Sequence, residues 1–157
     1  MIAVAVFEGL ARECVHALKY QGHHAIGGMM GRLMARIVPD LNISLIGPVS
    51  LHSARRRERG YDQSAVLSRE VARVLQLPWD RAAIQRVRPT QQQATLDAAA
   101  RQKNLAGAFV ATSAVQGKRV LLIDDVTTTG ATLESAAESA HRAGAEAVLG
   151  LVFAWAE

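Results

Sequence analysis

The chain has 157 residues, half of them hydrophobic, which is enough for one folded domain with a sizeable core. Its 18 Lys and Arg residues, mostly arginine, outnumber 14 Asp and Glu residues, so anionic ligands such as phosphoesters or nucleic acid are favoured. The single cysteine excludes an internal disulfide and a cysteine cluster for structural zinc. With neither a basic leader nor an apolar run of roughly 18 residues, the chain is predicted to be cytoplasmic and not inserted in a membrane.

The first half of the chain predicts three helices and one strand. Apolar residues spaced three and four apart predict helices over residues 10–18 and 30–37. Residues 43–50 predict a buried strand, which opens into an arginine-rich loop over residues 51–63. Ser64 is the candidate N-cap of the third helix.

The second half predicts strands that alternate with helices. A short strand is expected over residues 82–87, followed by a mobile polar segment over residues 88–104. Residues 119–123 and 147–153 predict two strands joined by a helix that ends at Gly144. This is a βαβ unit with parallel strands and a right-handed crossover, so the fold is predicted to be α/β with a mainly parallel sheet.

Two adjacent acids, Asp124 and Asp125, directly follow the apolar strand over residues 119–123. In a parallel α/β sheet, ligands bind at the carboxyl ends of the strands. Neighbouring carboxylates can accept hydrogen bonds from the vicinal hydroxyls of a ribose, or hold Mg²⁺ directly or through its waters. The two acids are therefore candidates for binding ribose or the metal.

The residues after the acids combine hydroxyl groups with backbone N–H groups at a helix start, which is a cradle for a phosphate. They are Thr127, Thr128, Thr129, Gly130, Ala131 and Thr132. A threonine-rich helix cap beside two solvated acids is the alternative, but a cap needs only one threonine. A Walker phosphate loop is excluded because its Gly-Lys-Ser/Thr ending is missing. Residues 120–132 thus predict a site for a phosphorylated ribose.

The sequence IDDVTTTGAT, residues 123–132, resembles the phosphoribosyl-diphosphate (PRPP) binding motif of type I phosphoribosyltransferases. Other segments resemble the ComF family of competence-associated, phosphoribosyltransferase-like proteins. These are RERGYDQS at residues 57–64, GAF at residues 107–109, and Arg86, Thr90, Gln93, Leu96, Arg101 and Asn104 in their present spacing. The resemblance implies the type I phosphoribosyltransferase fold, with helices on both faces of the sheet. Residues 1–157 would form one domain, with a helical hood part over about 1–42 and a core over about 43–157.

The resemblance also implies roles for individual residues. Asp124 and Asp125 would hold the ribose hydroxyls, and the residues from Thr127 to Thr132 would enclose the 5′-phosphate. The pyrophosphate-binding candidates follow the strand over residues 43–50 and are Leu51, His52, Arg55, Arg56, Arg57, Arg59 and Gly60. From charge alone this segment could also be a solvated turn, which charge by itself favours, or a nucleic-acid patch. The flexible loop that covers the site would contain Gln93, Arg101 and Asn104.

The chain departs from the relatives at three points. ComF proteins commonly carry an N-terminal four-cysteine zinc module, which a chain with one cysteine lacks. Asp62 stands where the family often has asparagine. Thr128 occupies the position at which several purine phosphoribosyltransferases place an acid that acts on the base, so a purine-salvage activity through that residue is disfavoured.

The sequence as a whole predicts a Mg²⁺-dependent, PRPP-binding protein. It would transfer a 5-phosphoribosyl group to an unidentified nitrogen acceptor and release pyrophosphate, in a role linked to natural competence and DNA uptake. The alternative is a non-catalytic competence factor that senses PRPP or binds single-stranded DNA. Other competence proteins and further copies of the same chain remain open as partners.

Overall fold

The computed structural model describes residues 1–20, 24–89, 105 and 107–156, without the side chains of Tyr20, His24, Arg55, Glu58 and Arg59. In chain order the elements are β1 (Ile2–Val6), α1 (Gly9–Tyr20), α2 (His24–Arg36), β2 (Leu45–Pro48), α3 (Ser53–Arg59), α4 (Gln63–Leu75), β3 (Ile84–Arg86), β4 (Phe109–Ala111), a 3₁₀ turn (Ser113–Val115), β5 (Arg119–Thr127), α5 (Ala131–Arg142) and β6 (Ala147–Trp155). None of these helices is both long and apolar enough to cross a membrane.

Within the described residues, four strands form a parallel sheet in the order β1-β6-β5-β2. The centre of the sheet is β5 and β6, whose inner residues are fully buried, as expected for strands covered on both faces. All four carboxyl ends therefore lie at one edge of the sheet. The predicted parallel α/β architecture is confirmed.

One face of the sheet is covered by α1, α2 and α4, whose apolar stripes pack on alternate residues of β5 such as Leu121 and Ile123. Helices α2 and α4 approach closely because α2 has glycine at the contact. A Cβ on Gly31 would lie 2.7 Å from Cβ of Glu70, and one on Gly27 would lie 2.7 Å from Val66 Cγ1. Larger residues at these two positions would push the helices apart.

The other face is covered by α5 and by an antiparallel pair of strands, β3 and β4. Leu133, Ala136 and Ala140 of α5 are buried against this face of the sheet. Gly150 in β6 leaves room for Leu133, whose side chain would lie 3.2 Å from an added Cβ. Small residues thus set the depth of α5, whose N-terminus lies at the carboxyl edge of the sheet.

Three sequence-based predictions need correction. The segment over residues 53–59 is helix α3 rather than loop, since its arginines and glutamate favour helix and His52 and Gly60 supply its ends. The N-cap of α4 is Asp62, not Ser64, because the Asp62 carboxylate accepts from the Ala65 N–H. Strands β5 and β6 continue to Thr127 and Trp155, and β1 and β4 had no predicted counterpart. Residues 90–104, predicted to be mobile, lie outside the described part of the chain.

Candidate functional site

The two acids and the threonines after them lie at the carboxyl edge of the sheet. Asp124 is still in register with Val152 of β6, and Thr127 with Trp155. Helix α5 begins four residues later, at Ala131. The strand therefore carries both acids up to the edge before the chain turns into the helix.

Asp124 is held by one side chain from another element and by its own backbone. The Ser64 hydroxyl, at the start of α4, donates to Asp124 Oδ1 at 2.7 Å, and the Asp125 N–H donates to the same oxygen at 2.9 Å. The residue is partly exposed, but surrounding protein atoms desolvate its carboxyl. Burial and then the Asp125 carboxylate raise the pKa of Asp124 to about 7, against the opposing effects of Ser64 and Lys19.

Asp125 is buried and has a different partner. The Lys19 ammonium, in the last turn of α1, lies 3.1 Å from Asp125 Oδ2, and the Val126 N–H donates to Oδ1 at 2.7 Å. The Lys19 side chain is itself 23% exposed, so it lies at the mouth of the site rather than in the core. The N-terminal helix thus supplies a cation to a pair of acids more than a hundred residues away in sequence.

The threonine loop is tied together by its own hydroxyls. Thr127 is buried, and its Oγ1 accepts from the Gly130 N–H at 3.0 Å, while Thr129 Oγ1 accepts from the Ala131 N–H at 3.4 Å. Gly130 has φ +81°, a left-handed conformation that favours glycine. The Trp155 indole N–H donates to the Thr128 carbonyl at 2.9 Å, which holds the loop to the end of β6.

This loop leaves polar groups accessible at the start of a 12-residue helix. The side chains of Thr128 and Thr129 are exposed, while Ala131 and Thr132 are partly buried in the first turn of α5. The helix start carries partial positive charge and N–H groups without partners within the helix. The arrangement can accept an anionic group of the size of a phosphate.

The arginine segment lies next to the acids because β2 pairs with β5. Pro48 is in register with Ile123, and the Val49 N–H donates to the Ile123 carbonyl at 2.8 Å. The segment is anchored by Asp62, which is buried and accepts from the N–H groups of Leu51 at 3.1 Å and Ala65 at 3.3 Å. Burial raises the pKa of the Asp62 carboxyl, although both N–H groups and nearby arginines act in the opposite direction.

The predicted pyrophosphate residues take different positions around α3. His52 caps the helix, with Nδ1 accepting from the Ala54 N–H at 3.3 Å, and Gly60 ends it with φ +80°. Arg56 is partly buried and acts electrostatically on Asp62, whereas Arg57 is exposed. Arg55 and Arg59 belong to α3, but their side chains are outside the description. The flexible-loop candidates Gln93, Arg101 and Asn104 also lie outside the described residues.

The two acids suit a magnesium site that is completed by substrate phosphates and water better than a site made of protein side chains alone. No group of three or more His, Cys, Asp or Glu side chains in the described residues could hold a metal ion. Magnesium is commonly held by one or two carboxylates together with substrate phosphates and water. Asp124 and Asp125 match that donor set, although Lys19 already pairs with Asp125.

Sequence reasoning did not assign Lys19 or Ser64 a part in this site. No role was predicted for Lys19, and Ser64 was predicted only as a helix cap. Neither contact has a local sequence signature, since Ser64 lies 60 residues from Asp124. The adjoining Trp155 is 40% exposed beside the threonine loop.

The chain belongs to the phosphoribosyltransferase family, whose phosphoribosyl transferase domain matches residues 62–157. It is 34% identical over 155 residues to the DNA utilization protein YhgH of Escherichia coli K12, with 94% of this chain and 68% of the relative covered. It is 32% identical over 144 residues to Competence protein F of Haemophilus influenzae, covering 85% and 63%. The predicted relationship to competence-associated phosphoribosyltransferase-like proteins is therefore confirmed.

Solved structures confirm the fold. The chain superimposes on the glutamine PRPP amidotransferase of B. subtilis, a complex with ADP and GMP, with a TM-score of 0.60 at 18% identity. The match covers 88% of this chain but 30% of that enzyme. The fold is that of type I phosphoribosyltransferases, as the sequence predicted.

Proposed function

We propose that the protein binds PRPP and transfers its 5-phosphoribosyl group to a nitrogen acceptor, releasing pyrophosphate. The observation that carries this proposal is that Asp124, Asp125 and the loop from Thr127 to Thr132 follow one another at the carboxyl edge of the sheet and lead into the start of α5. Two carboxyls, a row of hydroxyls and a helix start meet the separate needs of ribose hydroxyls and a 5′-phosphate. A single ligand that needs both is a ribose 5-phosphate.

The binding roles follow from the contacts already present. Asp124 and Asp125 would accept hydrogen bonds from the ribose hydroxyls while Ser64 and Lys19 keep them in place. The exposed hydroxyls of Thr128 and Thr129 and the N–H groups of the first turn of α5 would donate to the 5′-phosphate. The adjacent arginine segment would take the diphosphate.

In the transfer, the acceptor nitrogen forms a bond to the anomeric carbon as the bond from that carbon to the diphosphate oxygen breaks. The nitrogen then loses a proton, and pyrophosphate leaves. Positive charge develops on the ribose, so the nearby carboxylates stabilise it and the arginines stabilise the leaving group. Mg²⁺, when bound, supplies further positive charge for the diphosphate, and Asp124 and Asp125 are the residues that would hold it.

The acceptor is left undefined by this geometry. Thr128 carries a hydroxyl, not a carboxyl, at the position that could act on a base, and its side chain is exposed. The names of the relatives, DNA utilization protein and Competence protein F, support a role in the uptake or use of DNA. The transfer would then belong to that process in this protein as well.

The test is a titration of PRPP with and without Mg²⁺, in the parent protein and in an Asp124→Asn/Asp125→Asn variant. Loss of two carboxylate contacts to one ligand should weaken binding by about 100-fold or more. A Glu138→Gln/Glu146→Gln variant removes the same charge from exposed positions and should bind PRPP normally. Equal affinity in the parent and both variants would refute the proposal.

A second function is favoured by the names of the relatives and by the net charge of +4. Here the PRPP pocket senses the metabolite without catalysis, and the basic surface binds single-stranded DNA. Pyrophosphate release from PRPP across a panel of bases and amines identifies the enzyme. Binding of PRPP without release, together with DNA affinity that falls steeply with salt, identifies the competence factor.

A further inference from the structure

The ion pair between Lys19 and Asp125 occupies part of the place that a metal ion would take. Lys19 Nζ lies 3.1 Å from Asp125 Oδ2, while Oδ1 of the same carboxylate accepts from the Val126 N–H at 2.7 Å. Both oxygens of Asp125 are therefore engaged within the protein. A divalent cation could bind Oδ2 directly only beside a positively charged ammonium group, which repels it.

The neighbouring acid, Asp124, forms no ion pair with a described residue. Its Oδ1 accepts from two uncharged donors, the Ser64 hydroxyl and the Asp125 N–H. Its Oδ2 makes no hydrogen bond within the part of the chain that the structure describes. Of the two acids, Asp124 is therefore the one whose carboxylate is available to contact a metal ion, whereas Asp125 already has a cation.

The fold holds the Lys19 ammonium group in this position. Lys19 belongs to the last turn of α1, and Val15 and Leu18 of the same helix are fully buried in the core. The partial negative charge at the C-terminus of a helix also favours a cation there. Because both side chains of the pair are mostly shielded from water, salt screens their attraction less than that of a surface pair. Lys19 is thus a fixed counter-ion of Asp125 rather than a solvated surface lysine.

The balance of charge at the acids changes when a ligand with phosphate groups binds. In the unliganded protein, the Lys19 ammonium group offsets part of the negative charge of the acids, which weakens their attraction for a divalent cation. Magnesium loses its water reluctantly and is usually held by one or two carboxylates together with substrate phosphates. A diphosphate brings several negative oxygens and completes such a coordination shell, which the two acids do not do by themselves.

We propose that Lys19 determines which form of the metal the site accepts. Its ammonium group excludes free divalent cations from the two acids, so that Mg²⁺ enters together with a phosphorylated ligand. Lys19 acts through Asp125 and is therefore a positioning residue that sets the specificity of the site. The exclusion of free cations depends only on the contact between Lys19 and Asp125. The identity of the accompanying ligand, PRPP, rests on the proposed function.

The test is a titration of the whole chain with Mn²⁺, a paramagnetic substitute for Mg²⁺, followed by electron paramagnetic resonance without any other ligand. Lys19→Met and Lys19→Gln remove the ammonium charge and should each bind Mn²⁺ at least about tenfold more tightly than the parent. Lys19→Arg keeps the charge and should bind as weakly as the parent. Lys118→Met, at an exposed lysine, should change the affinity less than about twofold. Unchanged or weaker Mn²⁺ binding in both uncharged variants would overturn the proposal.

A double variant shows whether the added Mn²⁺ binds at the acids. When Asp125→Asn is combined with Lys19→Met, the tighter Mn²⁺ binding should be lost, because the carboxylate that Lys19 had neutralised is gone. If the tighter binding persists in the double variant, the metal binds elsewhere and the proposal is wrong.

A further titration, with PRPP at saturation, separates this proposal from the proposed function. The parent should then bind Mn²⁺ tightly, and the gain from Lys19→Met should shrink, because the diphosphate supplies the missing metal ligands. A Lys19 effect on free Mn²⁺ in a protein that does not bind PRPP would support the exclusion and refute the proposed function. PRPP binding without any Lys19 effect on free Mn²⁺ would refute the exclusion and leave the proposed function standing.

Discussion

The ribose-phosphate segment, residues 119–132, and the arginine segment, residues 51–62, lie side by side at the carboxyl edge of the sheet, yet they are built differently. In the first, contiguous residues supply the acids, the hydroxyls and the helix start. In the second, the arginines lie on the short helix α3. The cavity beside this helix is lined by Arg56 together with Arg81 and Arg86, which lie farther along the chain. A contiguous motif shows its chemistry in the sequence, whereas a site assembled from distant residues does not.

The first turn of α4 connects the two segments. Asp62 holds the backbone of Leu51, at the start of the arginine segment, and Ser64 two residues later holds Asp124. Both side chains are almost fully buried. A displacement of α4 would therefore disturb both segments, and substitutions in and around this contact test how far the two differ.

The largest expected effect is a gain in stability from Asp124→Asn in the unliganded protein. A carboxyl group whose pKa is higher in the folded than in the unfolded protein binds its proton more tightly in the folded protein. Stability is then lost as the pH rises from about 4 through the folded pKa of Asp124, about 7. At pH 8 the variant should be more stable by on the order of 2–4 kcal/mol, with little difference at pH 4, in urea unfolding.

Asparagine keeps an oxygen that can accept from Ser64, so this comparison isolates the charge. Asp40→Asn, at an exposed acid, should show no such pH-dependent gain. A variant that is less stable than the parent by the same amount at both pH values would show that the charge of Asp124 does not destabilise the folded protein.

A smaller effect is expected from Lys19→Met, which leaves the buried Asp125 carboxylate without its cation. The ion pair is only partly exposed, with the side chains 23% and 10% accessible, so we expect a loss of about 1–2 kcal/mol at pH 8. In an Asp125→Asn background the same substitution should cost less than about 0.5 kcal/mol. Lys118→Met, at an exposed lysine, is the control, and an identical loss in both backgrounds would argue against the pair.

The smallest effect is expected from Ser64→Ala, which removes the hydroxyl that positions Asp124. PRPP affinity should fall about three- to tenfold, the size expected for one hydrogen bond, while pyrophosphate affinity stays unchanged. Ser139→Ala removes another buried serine hydroxyl, bonded within α5, and should leave PRPP affinity unchanged. Ser64→Thr should restore most of the loss. An equal fall in PRPP and pyrophosphate affinity would show that Ser64 supports both segments alike.

Much of the fold could be predicted because hydrophobic periodicity and the residues that end helices are local properties of the sequence. The stripes of α1, α2 and α4, the run that forms β5 and the stop at Gly144 each follow from residues within one element. Strand β1 was not recognised, since a short apolar segment at the chain start has no periodicity that separates strand from other states. Its place in the sheet depends on pairing with β6, which lies about 150 residues away.

The family, the parallel sheet and the order of acids, threonines and glycine along residues 124–132 could be read from the amino-acid sequence alone, because neighbouring residues in a strand, turn and helix start carry these features. Three contacts became visible only in the folded chain: Lys19 pairs with Asp125, Ser64 holds Asp124, and Arg81 lines the same cavity as Arg56. These contacts join helices and strands that are remote in the chain. The packing of α1 and α4 on the sheet and the connection between β2 and β3 bring these residues together. No local sequence pattern predicts contacts between residues so far apart in the chain.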